Sequence, residues 1–279
     1  MTSFKKNFKK EKVDYFNEKY INRFIAQKKN NNWSEYRNKD NSRFLIREKD
    51  VRHIGTKNVY SPIKGQHNVN LQESRGIGIS ENESLENIIE KVTGQINTII
   101  ESDKVRIEEL ELLIKQNNLN LKDKNFLEIG FRIPKIQSYY RIHHEMNDFG
   151  IDINKFNVEL FQEMGFSCFH LNLMDNLDIA SELKNKFDLI CCYHVLEHIT
   201  NPDDAIENIY NSLNTGGIFH VEIPIEPGVP RLDYGHLISY EPRDMFKLLQ
   251  GTGFTVISGT NKTHTDGPHI ERYIAVKEG

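Results

Sequence analysis

The most regular pattern of apolar and polar positions lies between Phe187 and Pro224. An almost continuous apolar run, FDLICCY, is followed by the polar segment HVLEHI, by NPDDAIENIYNSLN and by a second apolar run, IFHVEIP. Apolar runs of this length suit strands covered on both faces, as in parallel sheets. The segment between them predicts a helix that opens on Asn201-Pro202 and stops at Gly216-Gly217. A strand–helix–strand unit of this length predicts a parallel pair with a right-handed crossover. We therefore expect half of a doubly wound α/β domain here.

The chain before this domain divides into two regions by pattern. Residues 1–82 show only short helical hints and a glycine- and polar-rich run. From Glu83 onward, apolar residues recur at spacings of three and four, which predicts an amphipathic helix. We therefore expect a partly helical N-terminal extension over residues 1–82, a helical segment over 83–120 and the α/β domain over 121–279. The apolar face of the helical segment has three open roles: packing on the core, contact in a homodimer, or covering the active site.

Motifs at five predicted strand ends resemble those of one enzyme family. FDLICCYHVLEHI followed by a helix and two glycines, FLEIG upstream, and GHLISYEP and GF downstream are similar to class I S-adenosylmethionine-dependent methyltransferases, of the type 11/23-like variety. The resemblance covers about Asn125–Val276. It implies a doubly wound, seven-stranded Rossmann-like sheet whose last strand is antiparallel, and S-adenosyl-L-methionine as the cofactor.

The resemblance also implies where the cofactor binds. The family pattern after the first strand is acid-x-G-x-G-x-G, and this chain has the acid and the first glycine, with Arg132 and Pro134 at the places of the other two. A bulky side chain at either place is expected to crowd the ligand or to force the loop outward. By resemblance, the cofactor-binding residues are Glu128, Gly130, Phe131, Asp152, Ile153, Asn172, Leu173, Tyr193 and His194.

Asp152 is the most specific of these expectations. It stands 22 residues after Gly130, a natural spacing for one strand–helix–strand step. A carboxylate suits the two ribose hydroxyls because it only accepts hydrogen bonds at neutral pH. The alternative is an acid at a strand end that caps the next helix.

The segment after the fifth strand carries the candidate catalytic groups. Its acid–base candidates are Glu222, Glu226, Asp233 and His236. His236 is the first choice as a base because its reference pKa is near neutral, with Asp233 as the second catalytic residue; holding the loop by hydrogen bonding is the alternative for His236. Arg231, Tyr234 and His198 are expected to contact the acceptor.

Two functions are compatible with these motifs. The first is methylation of a small molecule or glycan, on oxygen. The alternative is a non-catalytic methyltransferase-like protein that binds a partner or an altered ligand, and its motivation is Arg132 and Pro134.

HVLEH also matches H-x-x-E-H, a pattern of inverted zinc peptidases. In those enzymes the pattern lies well inside a helix, so that both histidines face one way. Here it follows directly on a buried strand and stops before Pro202, which disfavours helix for the preceding residue. We therefore expect no zinc at His194 or His198, and no other metal cluster.

Charge and composition limit the partners and the compartment. Residues 1–50 hold 14 Lys and Arg against 7 Asp and Glu, a net +7, which leaves 22 against 33, a net −11, for the rest. A basic arm for an anionic partner is one interpretation. The other is a solvated extension, and nucleic acid is not expected because the basic residues form no dense cluster. The chain has three cysteines, no apolar run of about 18 residues and no signal-peptide pattern. These features predict a cytoplasmic protein with reduced cysteines.

Overall fold

The computed structural model describes residues 33–37, 43–47, 69–70, 85–171, 173, 186–199, 201–226, 236, 238–263 and 269–279. These residues group into two compact units. Residues 85–170 belong to the first unit, and the described residues of 33–70 and 171–279 belong to the second. Each unit is described by itself.

The described part of the N-terminal extension forms a three-stranded antiparallel sheet. Its strands are β1 (Trp33–Arg37), β2 (Arg43–Arg47) and β3 (Val69–Asn70), in the order β1-β2-β3. The sequence predicted only helical hints for this region. Aromatic and β-branched residues such as Tyr36 and Ile46 favour strands, but five-residue segments within a polar region are too short to show a period.

Residues 85–170 contain four helices and three strands. They are α1 (Leu85–Asn97), α2 (Glu101–Gln116), β4 (Asn125–Ile129), α3 (Lys135–His143), β5 (Asn147–Asp152), α4 (Lys155–Glu163) and β6 (Cys168–His170). β5 pairs in parallel with both β4 and β6. The carboxyl ends of β4 and β5, where the glycine loop and Asp152 were predicted, are therefore side by side.

The apolar face of α1 packs inside this unit. Val92 and Ile96 join a buried cluster with Phe131, which follows β4, and with Phe161 of α4. Burial of apolar side chains stabilises such a contact by about 25 cal/mol per Å² removed from water. Through Val92 and Ile96, α1 thus packs on the core of this unit; contact in a homodimer and covering of the active site stay predictions.

The second unit contains the block that the sequence predicted most clearly. Its elements are β7 (Phe187–Tyr193), a 3₁₀ turn (Leu196–His198), α5 (Pro202–Ser212), β8 (Leu213–Pro224), α6 (Asp244–Thr252), β9 (Phe254–Thr263) and β10 (His269–Lys277). The strand order is β7-β8-β10-β9, with β7 and β8 parallel and β10 antiparallel to both of its neighbours. The predicted seven-stranded α/β fold with an antiparallel last strand is confirmed.

The glycine pair after α5 has a different role from the predicted one. The helix ends at Ser212 rather than at the glycines. Gly216 has φ +78°, a left-handed conformation that glycine adopts without strain. A Cβ on Gly217 would lie 2.8 Å from the carbonyl oxygen of Asn214 and 3.1 Å from that of Phe187. The pair therefore lets the start of β8 turn and pass close to β7.

Within the described residues, no helix is both long enough and apolar enough to cross a membrane.

Candidate active site

The loop after β4 is bent back onto β5. Gly130 has φ +69°, and its N–H donates to the carbonyl oxygen of Ile151 at 2.7 Å. Phe131 is buried, with its ring edge-on to Phe161 at 5.8 Å between centroids. Only the backbone of Phe131 is therefore available to a ligand at this loop, because its side chain belongs to the core.

Arg132 takes the conformation that a glycine would supply. Its φ is +44°, in the left-handed region, and its side chain is exposed. Its backbone N–H donates to Oδ2 of Asp152 at 2.9 Å. Pro134 follows as the residue before α3, where a missing N–H costs little. The loop thus keeps a tight turn and accommodates the bulky Arg132 side chain by exposing it.

Asp152 is a buried carboxylate at the end of β5. Burial raises its pKa, although hydrogen bonds from the backbone of Asn154 and Arg132 act in the opposite direction. Oδ1 accepts from Asn154 N–H at 2.7 Å, and Oδ2 accepts from Arg132. Each carboxylate oxygen can accept a second hydrogen bond, so Asp152 orders the loop and still has acceptor capacity for a ligand. Ile153 is half-buried, and its carbonyl oxygen lies 3.0 Å from Nε2 of His170.

Glu128 accepts a hydrogen bond from the start of α3. Its Oε2 accepts the backbone N–H of Gln137, in the first turn, at 2.9 Å. The first N–H groups of a helix have no partner within the helix, so this carboxyl satisfies one of them. Burial raises the pKa of Glu128 to about 8, more than the hydrogen bond from Gln137 lowers it.

The end of β7 carries two side chains with polar partners. The hydroxyl of Tyr193 lies 2.8 Å from Nδ1 of His220 on β8. His194 has φ +53°; its Nε2 lies 2.9 Å from Glu222 and its Nδ1 lies 3.3 Å from Glu197. Burial lowers the pKa of His194, but the neighbouring carboxylates of Glu197 and Glu222 outweigh this and raise it to about 9. His194 is therefore charged at neutral pH.

Arg272 of β10 completes this charge network, and sequence reasoning missed it. The residue is 1% exposed, and its side chain pairs with Glu222, with Nε donating to Oε2 at 2.7 Å. Glu222 is thus held between one arginine and one histidine, which makes it a structural group rather than a free base. The sequence did contain an indication of this residue, because the charged pair Glu271-Arg272 interrupts an otherwise apolar strand.

The segment from His236 to Tyr240 is fixed beside the 3₁₀ turn. The N–H of Ile238 donates to the carbonyl oxygen of Glu197 at 3.1 Å, and the hydroxyl of Tyr240 donates to that of Leu196 at 3.2 Å. These bonds bring the His236 ring to 5.0 Å from the His198 ring, between centroids. Nδ1 of His236 lies 2.7 Å from Oε2 of Glu226.

The same turn places donor atoms close enough to hold a cation. One ligand atom each of Glu197, His198 and His236 lies within 4.8 Å of the other two. Glu197 is completely buried. Burial raises its pKa, but the three neighbouring histidines outweigh this and lower it.

Several predicted site residues cannot be compared with the structure. Asn172, Arg231, Asp233 and Tyr234 lie outside the described residues. Leu173 is described and buried.

Comparison with known proteins agrees with this architecture. A family model, "Methyltransferase domain", matches residues 106–259, slightly more than half of the chain. No curated protein matches the sequence. Solved structures do match the fold. The 1,6-didemethyltoxoflavin-N1-methyltransferase of Burkholderia thailandensis, with bound 1,6-didemethyltoxoflavin and S-adenosylhomocysteine, is 12% identical, with 82% of this chain and 99% of that chain covered and a TM-score of 0.50.

Two further structures have the same TM-score. Phosphoethanolamine N-methyltransferase 2 of Haemonchus contortus, in complex with S-adenosyl-L-methionine, is 14% identical over 62% of this chain and 52% of that chain. The [4+2]-cyclase SpnF is 16% identical over 60% of this chain and 79% of that chain, also with a TM-score of 0.50. At these identities the likeness shows the fold alone, and the family model carries the assignment. The chain therefore belongs to the methyltransferase domain family, the class I S-adenosylmethionine-dependent methyltransferases, whose cofactor is S-adenosylmethionine.

Proposed function

We propose that this chain methylates an oxygen of a small molecule or glycan, with His236 as the base that takes the hydroxyl proton. The observation that carries the proposal is the 2.7 Å contact between Nδ1 of His236 and Glu226. An ionised carboxylate can only accept, so Nδ1 carries the proton and Nε2 is left as an acceptor. The same logic orients the histidine of serine hydrolases.

The surroundings of His236 also support this role. Its side chain is 13% exposed, so it is largely shielded from bulk water while one edge stays accessible. Tyr240 and Ile238 fix the backbone of the segment on the 3₁₀ turn. A base held in one tautomer and one orientation contributes typically 10²–10⁴-fold to a reaction.

The loop after β4 and the end of β5 are proposed to form part of the cofactor site. The cofactor supplies a methyl group on a sulfonium. The remaining lone pairs of Asp152 can accept from the ribose hydroxyls, and Gly130 allows the loop backbone to approach the ligand closely. Tyr193, His194 and Leu173 remain predictions as cofactor contacts, as does homodimer formation.

Calorimetric titration with S-adenosylmethionine and S-adenosylhomocysteine tests the cofactor assignment. Dissociation constants below about 100 μM, roughly −5.5 kcal/mol, are expected. Methyl transfer is then screened against hydroxylated small molecules and sugars by following S-adenosylhomocysteine release. His236→Ala and Glu226→Gln should each slow transfer, by about 10²-fold for the histidine, with cofactor affinity nearly unchanged. His143→Ala, an exposed histidine of α3, is the matched control.

A second candidate function is binding without methyl transfer. Two observations favour it: Arg132 replaces a loop glycine, and a [4+2]-cyclase shares the fold. A fold does not fix a reaction. Calorimetric silence with both cofactor forms up to millimolar concentrations would support this candidate over the first.

A further inference from the structure

Glu197 is a buried acid whose oxygens are not saturated. It is 0% exposed, and neither carboxylate oxygen accepts a hydrogen bond by geometry within the described structure. Its nearest polar neighbours are Nδ1 of His194 at 3.3 Å and Nε2 of His198 at 4.0 Å, both from Oε1. Burying a carboxylate costs free energy unless it is paired or coordinates a metal. His194 supplies a positive charge beside Oε1, and a bound cation would supply the coordination that the oxygens of Glu197 lack in the described structure.

The groups around Glu197 have the chemistry of metal ligands. Imidazole nitrogen and carboxylate oxygen suit zinc, manganese, iron and cobalt, and two histidines with one carboxylate leave coordination positions open. Ligand atoms bound at about 2.0–2.2 Å from one ion lie roughly 3–3.5 Å apart. The 4.8 Å spread of this group therefore needs a contraction of about 1 Å. The His198 side chain, 32% exposed, has room to supply it.

Groups that would hold the proposed ligands in position are also present. A histidine that binds a metal through one nitrogen usually donates its other N–H to a carboxylate, which fixes the ring and raises its basicity. Glu226 has this relation to His236, with 2.7 Å between Oε2 and Nδ1. His194 also orients the carboxylate of Glu197, since its Nδ1 lies 3.3 Å from Oε1.

We propose that Glu197, His198 and His236 form a binding site for one divalent transition-metal ion, with positions left open for the oxygen of the acceptor. The proposal rests on the proposed methyl transfer to oxygen, and it changes the role of His236 in that reaction from base to metal ligand. It assigns Nε2 of His236 to the metal, so that the metal, rather than the imidazole acting as a base, would activate the acceptor hydroxyl. The ligand set shares Glu197 and His198 with the H-x-x-E-H pattern but takes its second histidine from His236 instead of His194, so the proposal replaces the expectation of no metal at His198.

The rival explanation is purely electrostatic. The positive charge of His194 would compensate Glu197, and the rings of His198 and His236 would only pack against each other. That arrangement needs no ion and predicts no specific metal affinity. Direct metal binding therefore separates the two explanations without any assay of activity.

The test uses full-length, tag-free protein stripped with EDTA and titrated with Zn²⁺, Mn²⁺ and Co²⁺. One equivalent should bind with a dissociation constant of about 10 μM or tighter, and Co²⁺ should give visible absorption bands of a protein-bound ion. His198→Ala and His236→Ala should each weaken binding at least tenfold, and Glu226→Gln by about 10–100-fold. His143→Ala should bind as the parent does.

Two results would overturn the metal site. One is the absence of binding tighter than about 1 mM for all three ions. The other is binding that survives His236→Ala but is lost in His194→Asn, which would move the site to the H-x-x-E-H pair. Circular dichroism of each variant shows whether it is folded, and the half-buried His198 gives the variant least expected to disturb the core.

The same stripped protein distinguishes this inference from the proposed function. If it binds S-adenosylmethionine but no metal, the metal site is wrong and the methyltransferase assignment stands. If it binds the metal but neither cofactor form, the proposed function fails and the metal site stands.

Discussion

Glu128 is a residue whose ionisation opposes folding. Its pKa is about 8 in the folded protein because burial disfavours the charged form, against an ordinary value of 4.5. Between these two values the folded state holds a proton that the unfolded state releases. Stability should therefore fall as pH rises through this window, by about 1.4 kcal/mol per pH unit from this group.

Glu128→Gln should remove that slope. The amide oxygen of glutamine can still accept the N–H of Gln137, so the start of α3 keeps its partner. Urea unfolding at pH 5, 6, 7 and 8 should show a smaller loss of stability in the variant than in the parent. The exposed Glu278→Gln should follow the parent. Parallel pH profiles for parent and Glu128→Gln would show that Glu128 ionises normally.

Asp152 should govern cofactor affinity. Asp152→Ala removes the proposed pair of charge-assisted hydrogen bonds to the ribose, each worth about 1.5–3 kcal/mol. Affinity for S-adenosylmethionine measured by calorimetry should drop by about two orders of magnitude or more. Asp148→Ala is the matched control, since Asp148 lies on the same strand but bonds to Gln137 instead. Full affinity in Asp152→Ala would remove Asp152 from the site.

The position of a single residue was predictable from sequence where a motif fixed its place: Asp152 was expected at a strand end and lies at the end of β5. Its role at the cofactor, and that of His236 as a base, stay predictions. The partners of these residues were less accessible to sequence reasoning. Arg272 meets Glu222 across 50 residues of chain, and only the register of β8 against β10 brings them together. Register between distant strands is set by packing, which one sequence does not display.

At the scale of elements, β5 and the loop after β4 are packed too closely for any side chain at Gly150. A Cβ there would lie 2.6 Å from Oε1 of Gln137 and 2.7 Å from the ring of Phe131. Gly150→Ala should therefore destabilise the protein by about 1–3 kcal/mol through overpacking. The midpoint of urea unfolding measures this loss.

Gly251 provides the opposite case for the same substitution. It lies within α6 and has open space where a Cβ would be. Gly251→Ala should stabilise by up to about 1 kcal/mol, because alanine loses less conformational freedom in a helix. Opposite signs for the two variants would support the inward position of Phe131. Two small changes of the same sign would mean that the loop adopts another conformation.

Helices and strands were predictable from the sequence where the pattern of apolar positions was long and where residues such as a cap or a proline marked the boundary. α5 begins at Pro202, where the sequence predicted it to open. The end of α5 was misplaced because the glycine pair was interpreted as a helix stop, whereas its close approach to β7 is a tertiary feature. The HVLEH segment was correctly separated from a helix: it forms a single 3₁₀ turn.

At the scale of the whole molecule, the reactivity of the three cysteines measures whether each compact unit is folded. Cys168 lies in the first unit, and Cys191 and Cys192 lie in the second. All three are buried, and none belongs to a disulfide. Burial also raises the pKa of the Cys168 and Cys192 thiols, so little reactive thiolate is present even when reagent is near.

The native protein should therefore resist a thiol reagent such as dithionitrobenzoate until it opens. A domain with at least about 5 kcal/mol of stability should label about 10³-fold or more slowly than the unfolded chain. Three equivalents should react in guanidinium chloride. Cys168→Ser, and separately Cys191→Ser with Cys192→Ser, would show which unit opens first, because each leaves thiols in only one unit. Rapid reaction of one thiol in the native state would place that cysteine at the surface and contradict the packing of its strand.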